Sequence, residues 1–328
     1  MLAGRAARSG GSGSSARHAV LSLATTFRLP HEGMSDMEYL SRGSAFLLTP
    51  PRPTSAPSPL PVAKGHELAV LTCQHVACPW LFPKYFADKW DWLQHVSEEF
   101  VQHTLQLLEL PPVQVTSSEP SQEQQQLFIP KVIQEIPLQR HVWLHPRRDM
   151  AMLSLGDAVA DTDWDQFASD WNLELLTLQP AASKPGDVVL FTGHKQIPDD
   201  VLTTNEIGQY PKEVVGQFVG QNQQGQAFAW SDEILEEGMC GGAVVNADGD
   251  CVGLIEGIVP PFVAVDTSGL SADEEKAVQS AEEMRKALEN HVAFIPSAEI
   301  DAFVATKGDF LPTGTLLDLD DDNEDDLW

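Results

Sequence analysis

Three side chains stand where the sequence best provides for chemistry. Cys240 lies in a glycine-rich bend, Gly238-Met-Cys240-Gly-Gly242. Glycines on either side of a reactive thiol allow backbone conformations closed to other residues, and they let amide N–H groups converge on one point, as a developing oxyanion requires. His75 follows directly on the apolar run Leu68-Ala-Val-Leu-Thr72, so its imidazole falls at the end of a buried strand and not in a polar loop. Asp149 immediately precedes a second apolar run, Met150-Ala-Met-Leu-Ser-Leu155, which sets its carboxylate at the edge of a core. Plainer readings stand beside these: a hairpin whose glycines serve only a tight bend, with Cys240 a small buried hydrophobe, and a surface aspartate that begins a strand.

The elements that must carry these residues are mostly short strands. Residues 42–49, 68–72, 127–133, 141–144 and 149–155 read as strands in the first half, and 186–193, 213–219, 227–230, 243–245, 251–254, 257–265 and 292–296 in the second. Asp248-Gly249 between 243–245 and 251–254 is a strong hairpin signal directly after the cysteine bend. Six prolines between 50 and 64 mark a loop, and residues 156–184 join two halves. Leu93, Val96, Phe100 and Leu107 fall at helical spacings on one side, which predicts a helical insertion or lid within 80–126, and a charged helix is expected over 271–290. Many short strands with turns at regular intervals indicate a mainly β chain, either two antiparallel barrels or a sandwich.

In chain order the three residues run His75, Asp149, Cys240. That order resembles the chymotrypsin-like proteases and differs from the subtilisins and α/β-hydrolases. Gly43-Ser-Ala-Phe-Leu-Leu resembles the opening strand of trypsin-like and HtrA-type proteases, Leu71-Thr-Cys-Gln-His75-Val their catalytic-histidine motif, and Asp149-Met-Ala-Met-Leu-Ser-Leu the motif around their aspartate. The stretch from Ser231 through Cys240-Gly-Gly-Ala to Leu254 is similar to their nucleophile loop and the hairpin after it, and Val292-Ala-Phe-Ile-Pro-Ser-Ala-Glu-Ile resembles the closing strand and helix start of HtrA-type domains. The resemblance implies a trypsin-like double antiparallel β-barrel with helical insertions over 39–306: a first barrel at about 39–156 with insertion 80–126, and a second at about 185–306 with insertion 271–290. The sequence departs from the family in placing Cys240 where the cellular proteases have serine and Ala243 where they have proline. No segment of PDZ size is expected after residue 306.

The resemblance implies an endopeptidase acting through a Cys-His-Asp triad. His75 would take the thiol proton of Cys240 and later protonate the leaving amine, Asp149 would orient the imidazole, and the amides of Gly238 and Cys240 would form the oxyanion hole. By offset, Ile234 would lie near a specificity pocket. Glu233, Glu236 and Glu237, just upstream of the thiol, argue the other way if they face it, because nearby carboxylates raise a thiol pKa; facing the cleft, they would select basic substrates. The alternative function is therefore an inactive pseudoprotease serving as a binding or assembly subunit. Cys73-x-His75-x2-Cys78 has no standard zinc spacing and no evident second pair of ligands, so neither metal nor other cofactor is expected, and Cys73 and Cys78 are expected as free thiols.

Charge bounds the partners. The formal net charge is −28, which disfavours nucleic acid and anionic membranes and favours a basic protein or peptide. The sequence contains no run of about 18 apolar residues, so no membrane span is expected. Residues 1–31 carry Arg5, Arg8, Arg17 and Arg28 and no acid, the composition of a mitochondrial or plastid transit segment or of an ordinary unstructured N-terminus; residues 1–38 are expected to be disordered, and Met34 is an alternative start. Four cysteines in 328 residues suit an intracellular, reducing compartment, with the cytoplasm as the alternative to an organelle. The acidic tail 307–328 is expected to be disordered, with Leu316, Leu317, Leu319 and Trp328 offered to a tail-binding partner and a clathrin-box reading for Leu316-Leu-Asp-Leu-Asp320.

Overall fold

The computed structural model describes residues 19–49, 68–82, 90–109, 129–179, 181–197, 202, 208–258, 278, 280, 283, 288, 290–306 and 309–310. Its strands close into two six-stranded antiparallel barrels. The first comprises β1 (Val20–Phe27), β2 (Glu38–Leu48), β3 (Ala69–Thr72), β4 (Val101–Leu108), β5 (Val132–Leu144) and β6 (Ala151–Leu155), in the order β5-β4-β1-β2-β3-β6, with β5 pairing back onto β6. The second comprises β7 (Val188–Gln196), β8 (Gln209–Gln221), β9 (Ala227–Ser231), β10 (Ala243–Asn246), β11 (Cys251–Ile258) and β12 (His291–Pro296), closed as β10-β11-β12-β9-β8-β7. Closure leaves no open barrel edge, and the inward faces fill each core. Leu23, Phe46, Leu71, Leu105 and Leu153 are buried in the first, and Phe191, Val244, Ile255 and Phe294 in the second.

The segment joining the barrels is pinned to both. Leu176 exchanges backbone hydrogen bonds with the end of β2, through Leu176 N to Leu47 O at 3.0 Å and Thr49 N to Leu176 O at 2.9 Å. Cys251 N donates to Thr177 O and Gln179 N to Cys251 O, both at 2.8 Å. The connection thus fixes the start of β11 against the first barrel.

The domain limits differ from expectation at three places. Residues 20–27, expected within a disordered N-terminus of 1–38, form β1, paired to β2 on one side and β4 on the other. Val-Leu-Ser-Leu-Ala-Thr-Thr-Phe is rich in apolar and β-branched residues, and the arginine-bearing composition around it masked that local signal. A transit segment ending at 31, or a start at Met34, would remove a strand from the middle of the first barrel. Within 80–126, the helical residues among those described are the end of the 3-10 turn Pro79–Leu81, Trp90–Leu93 and the 3-10 turn Glu98–Phe100, and Leu107 lies in β4. Val101, His103, Leu105 and Leu107 alternate with Gln102, Thr104 and Gln106; this period of two wins over the coincidental helical spacing because β1 and β5 both offer ladders to it. Third, Asp309–Phe310, expected in the tail, pair with Leu144 and Trp143 of β5. The expected transit residues 1–18, most of the charged helix 271–290 and the tail residues 311–328 lie outside the described residues.

Candidate active site

The histidine and aspartate are brought together by strand pairing within the first barrel. β3 and β6 are antiparallel neighbours with Thr72 opposite Ala151, so the residues after one strand and before the other meet at the same end. Past Thr72 the chain enters one helical turn, Gln74–Ala77. Gln74 Nε2 donates to His145 O at 2.6 Å and to Met150 O at 3.3 Å, tying down the turn that carries Asp149. Asp149 then grips His75 twice: Oδ1 accepts the His75 backbone N–H at 3.1 Å, and Oδ2 pairs with Nδ1.

The thiol arrives from the second barrel, on the loop between β9 and β10. Gly238 has φ +93° and Gly241 φ +82°, both in the left-handed region where a side chain is strained. Space excludes side chains there as well. A Cβ on Gly238 would lie 2.6 Å from His194 O, and one on Gly241 would collide with Ser44 O and Thr72 Oγ1. Ser44 of β2 locks the loop across the barrel boundary: its N–H donates to Cys240 O at 3.2 Å, and its hydroxyl donates to Gly238 O at 2.8 Å. Gly241 N donates to Ile255 O at 2.9 Å and Gly242 N to Met239 O at 3.0 Å. Among the described residues the amides of Gly238 and Cys240 have no protein acceptor. Cys240 lies close enough to the His75 imidazole to contribute to its raised pKa, so the three residues singled out in the sequence are brought to one place.

Electrostatics favours a cationic imidazole. Burial alone pulls the His75 pKa down, but the charge and hydrogen bond of Asp149, with the contribution of Cys240, outweigh it and lift the value to about 10. All four cysteines are unpaired. Burial pushes the Cys73 and Cys78 thiols up, and Cys251 up to about 12. Those three are fully enclosed, whereas Cys240 is partly exposed.

The glutamates upstream of the thiol have other partners. Lys212 Nζ lies 2.9 Å from Glu233 Oε2 and 2.8 Å from Glu236 Oε1, and Lys195 Nζ lies 3.4 Å from Glu236 Oε1. Burial by itself would raise the Glu236 pKa; the two lysines hold it below the usual value. Glu237 is exposed, and its carbonyl accepts from Gln196 N at 2.8 Å. Ile234, expected near a specificity pocket, is 43% exposed on the same loop.

A metal would find donors but no vacancy. Ligand atoms of Cys73, His75 and Asp149 lie within 4.8 Å of one another, and Cys78 is not part of the set. The Cys73 thiol already donates to Ile255 O at 3.2 Å, and the imidazole and carboxylate satisfy each other. Coordination would require dismantling these bonds.

Residues 62–254, more than half of the chain, match the family described as the trypsin-like peptidase domain. The chain belongs to that family. The match includes His75, Asp149 and Cys240, and the double barrel of this trypsin-like domain extends beyond it at both ends. No curated protein sequence matches the chain. A solved structure of an HtrA-type protease with a tripeptide is similar at 18% sequence identity and a TM-score of 0.43, with 89% of this chain and 61% of that chain covered. The trypsin-like domain therefore spans about three fifths of that protease's length.

Sequence reasoning missed several residues of this trypsin-like site. Ser44, Gln74 and Lys212 each act through partners remote in the chain. Ser44 lay inside a family-like word, but nothing local announced that its hydroxyl would reach residue 238.

Proposed function

We propose that this trypsin-like domain is a thiol endopeptidase. The Cys240 thiolate adds to the scissile carbonyl carbon while the carbonyl π electrons move onto oxygen, and the free amides of Gly238 and Cys240 receive that oxyanion; such donors are worth about 3 kcal/mol each in the transition state. Collapse of the tetrahedral adduct breaks the C–N bond, and the His75 imidazolium gives its proton to the departing amine. Water then attacks the thioester, His75 takes the water proton, and the acid product leaves with the thiol restored. Asp149 holds the imidazole in place and stabilises its cation.

The observation that carries this reading is the His75 imidazole paired to Asp149 through Nδ1, with Cys240 close enough to contribute to its raised pKa. The lysine pairing of Glu233 and Glu236 supports it further, since it gives two of the three upstream glutamates partners other than the thiol and weakens the electrostatic ground for an inactive pseudoprotease. The net charge of −28 favours basic protein segments as substrates by long-range attraction, and an unprotected thiol nucleophile suits a reducing compartment. The deciding experiment is covalent labelling of Cys240 by a peptidyl electrophile in the wild type and in His75→Ala. Fast labelling that collapses in the variant is expected; equal, slow labelling in both overturns the proposal.

A further inference from the structure

Asp149 sits on the turn between β5 and β6, and that turn closes on itself through His145 N to Met150 O at 2.9 Å and Met150 N to Arg148 O at 2.7 Å. Gln74 holds it from the first barrel. A second hold comes from the C-terminal helix Ser297–Thr306, which follows directly on β12 of the second barrel. Glu299, in the first turn of that helix, accepts from Arg148 Nε at 3.3 Å through Oε1 and at 3.2 Å through Oε2. Its Oε1 also lies 3.8 Å from His145 Nε2. Phe303, one turn further along the helix, meets the His145 ring edge to face with centroids 5.4 Å apart. The other end of the guanidinium is fixed as well, since Arg148 Nη2 donates to Gln224 O at 2.7 Å in the turn between β8 and β9.

Exposed ion pairs contribute little, but the Arg148 side chain is only 9% exposed. Its planar fork is gripped from two directions by elements of the second barrel, the use to which arginine is better suited than lysine. Arg148 is the residue before Asp149, so pinning its side chain also limits where the Asp149 backbone can go. Asp149 needs that limit: it must accept the His75 N–H through Oδ1 and pair with Nδ1 through Oδ2, while Cys240 reaches the same place from the other barrel. Further along the chain, Asp309–Phe310 pair with Leu144 and Trp143 at the end of β5, so the C-terminal stretch meets the Asp149 turn and the strand leading into it.

We propose that Glu299 is a positioning residue for the triad: through Arg148 it ties the turn that carries Asp149 to the second barrel, and so sets the Asp149 carboxylate on His75 in register with Cys240. This rests on the thiol-endopeptidase reading. Two other roles for the pair make different predictions. A contact that serves folding alone changes stability and leaves the reactivity of the folded protein as it was. Long-range electrostatics makes the removal of Arg148 and of Glu299 act in opposite senses, because their charges are opposite. Positioning makes both removals act in the same sense, since either one releases the turn.

The test takes two readings on the full chain: the rate at which iodoacetamide alkylates Cys240, followed by peptide mass spectrometry, and the downfield proton NMR signal of the His75 Nδ1–H shared with Asp149, identified by its absence in His75→Ala. The proteins compared are the wild type, Glu299→Gln, Arg148→Gln, the double variant, Arg148→Lys and His75→Ala. Loss of a hydrogen bond between charged groups predicts alkylation about tenfold slower in each single glutamine variant, with no further loss in the double variant. Arg148→Lys, which keeps the charge without the fork, should retain part of the rate, and the proton signal should broaden or move in both glutamine variants. Wild-type rates and signals in Glu299→Gln and Arg148→Gln overturn the proposal alone, as do rates displaced in opposite directions or losses that add in the double variant, provided His75→Ala is slower than the wild type. If His75→Ala alkylates at the wild-type rate, the endopeptidase reading fails and takes this proposal with it. Should Arg148→Gln not fold, Glu299→Gln and Arg148→Lys decide by the same two readings.

Discussion

The Ser44 hydroxyl donates to Gly238 O at 2.8 Å and accepts the His194 backbone N–H at 2.8 Å, so one side chain of the first barrel joins the cysteine loop and β7 of the second. Ser44 is fully buried. Ser44→Ala leaves a buried carbonyl and a buried amide without their partner, which costs about 1–3 kcal/mol. A lower denaturant midpoint and slower labelling of Cys240 are expected together, because the loop that loses its anchor also carries the thiol. Unchanged labelling with reduced stability would confine Ser44 to folding.

Gly238→Ala tests the backbone directly. At φ +93° and with a Cβ 2.6 Å from His194 O, alanine either strains the loop by about 1–3 kcal/mol or turns the Gly238 amide away. Turnover of a peptide substrate should fall by about 100-fold, the order expected for losing one oxyanion donor. Alkylation by iodoacetamide, which forms no oxyanion, should fall much less, and the difference between the two assays is the measurement.

The elevated His75 pKa makes stability pH-dependent. The folded value of about 10 lies above the ordinary 6.5, so the folded state binds the proton more tightly. The resulting stabilisation is complete below pH 6.5 and is lost as pH rises through about 10. In urea titrations the wild type should exceed His75→Gln by an amount that shrinks over that window. A constant difference would mean that the imidazole is not held as a cation.

Truncation separates the domain from the segment before it. Removing residues 1–31 deletes β1 and leaves β2 and β4 without their shared neighbour, so cooperative thermal unfolding followed by circular dichroism should disappear. Removing residues 1–18 spares every strand of the first barrel and should leave the transition within a few degrees of the full chain.

Much of the site was legible in the sequence because its signals are local. His75 and Asp149 abut apolar runs that became β3 and β6, and Cys240 lies among glycines two of which take positive φ. Each of these is a statement about a residue and its immediate neighbours. The strands failed to read correctly where the local signal was ambiguous: Leu93 to Leu107 matched a helical spacing, and residues 20–27 were obscured by the arginines around them. Only the ladders from β1 to β2 and β4 resolve both cases.

What the sequence by itself determined is the mainly β double barrel, the chain order of histidine, aspartate and cysteine, and the glycine bend around the thiol. The tertiary structure alone decided the partners: Ser44 with Gly238 across 194 positions of sequence, Glu233 and Glu236 with Lys212 and not with the thiol, and Gln226 with Glu256. The physical reason is the same in each case. Backbone preference depends on neighbouring residues along the chain, whereas a side chain's partner depends on which strands barrel closure places side by side.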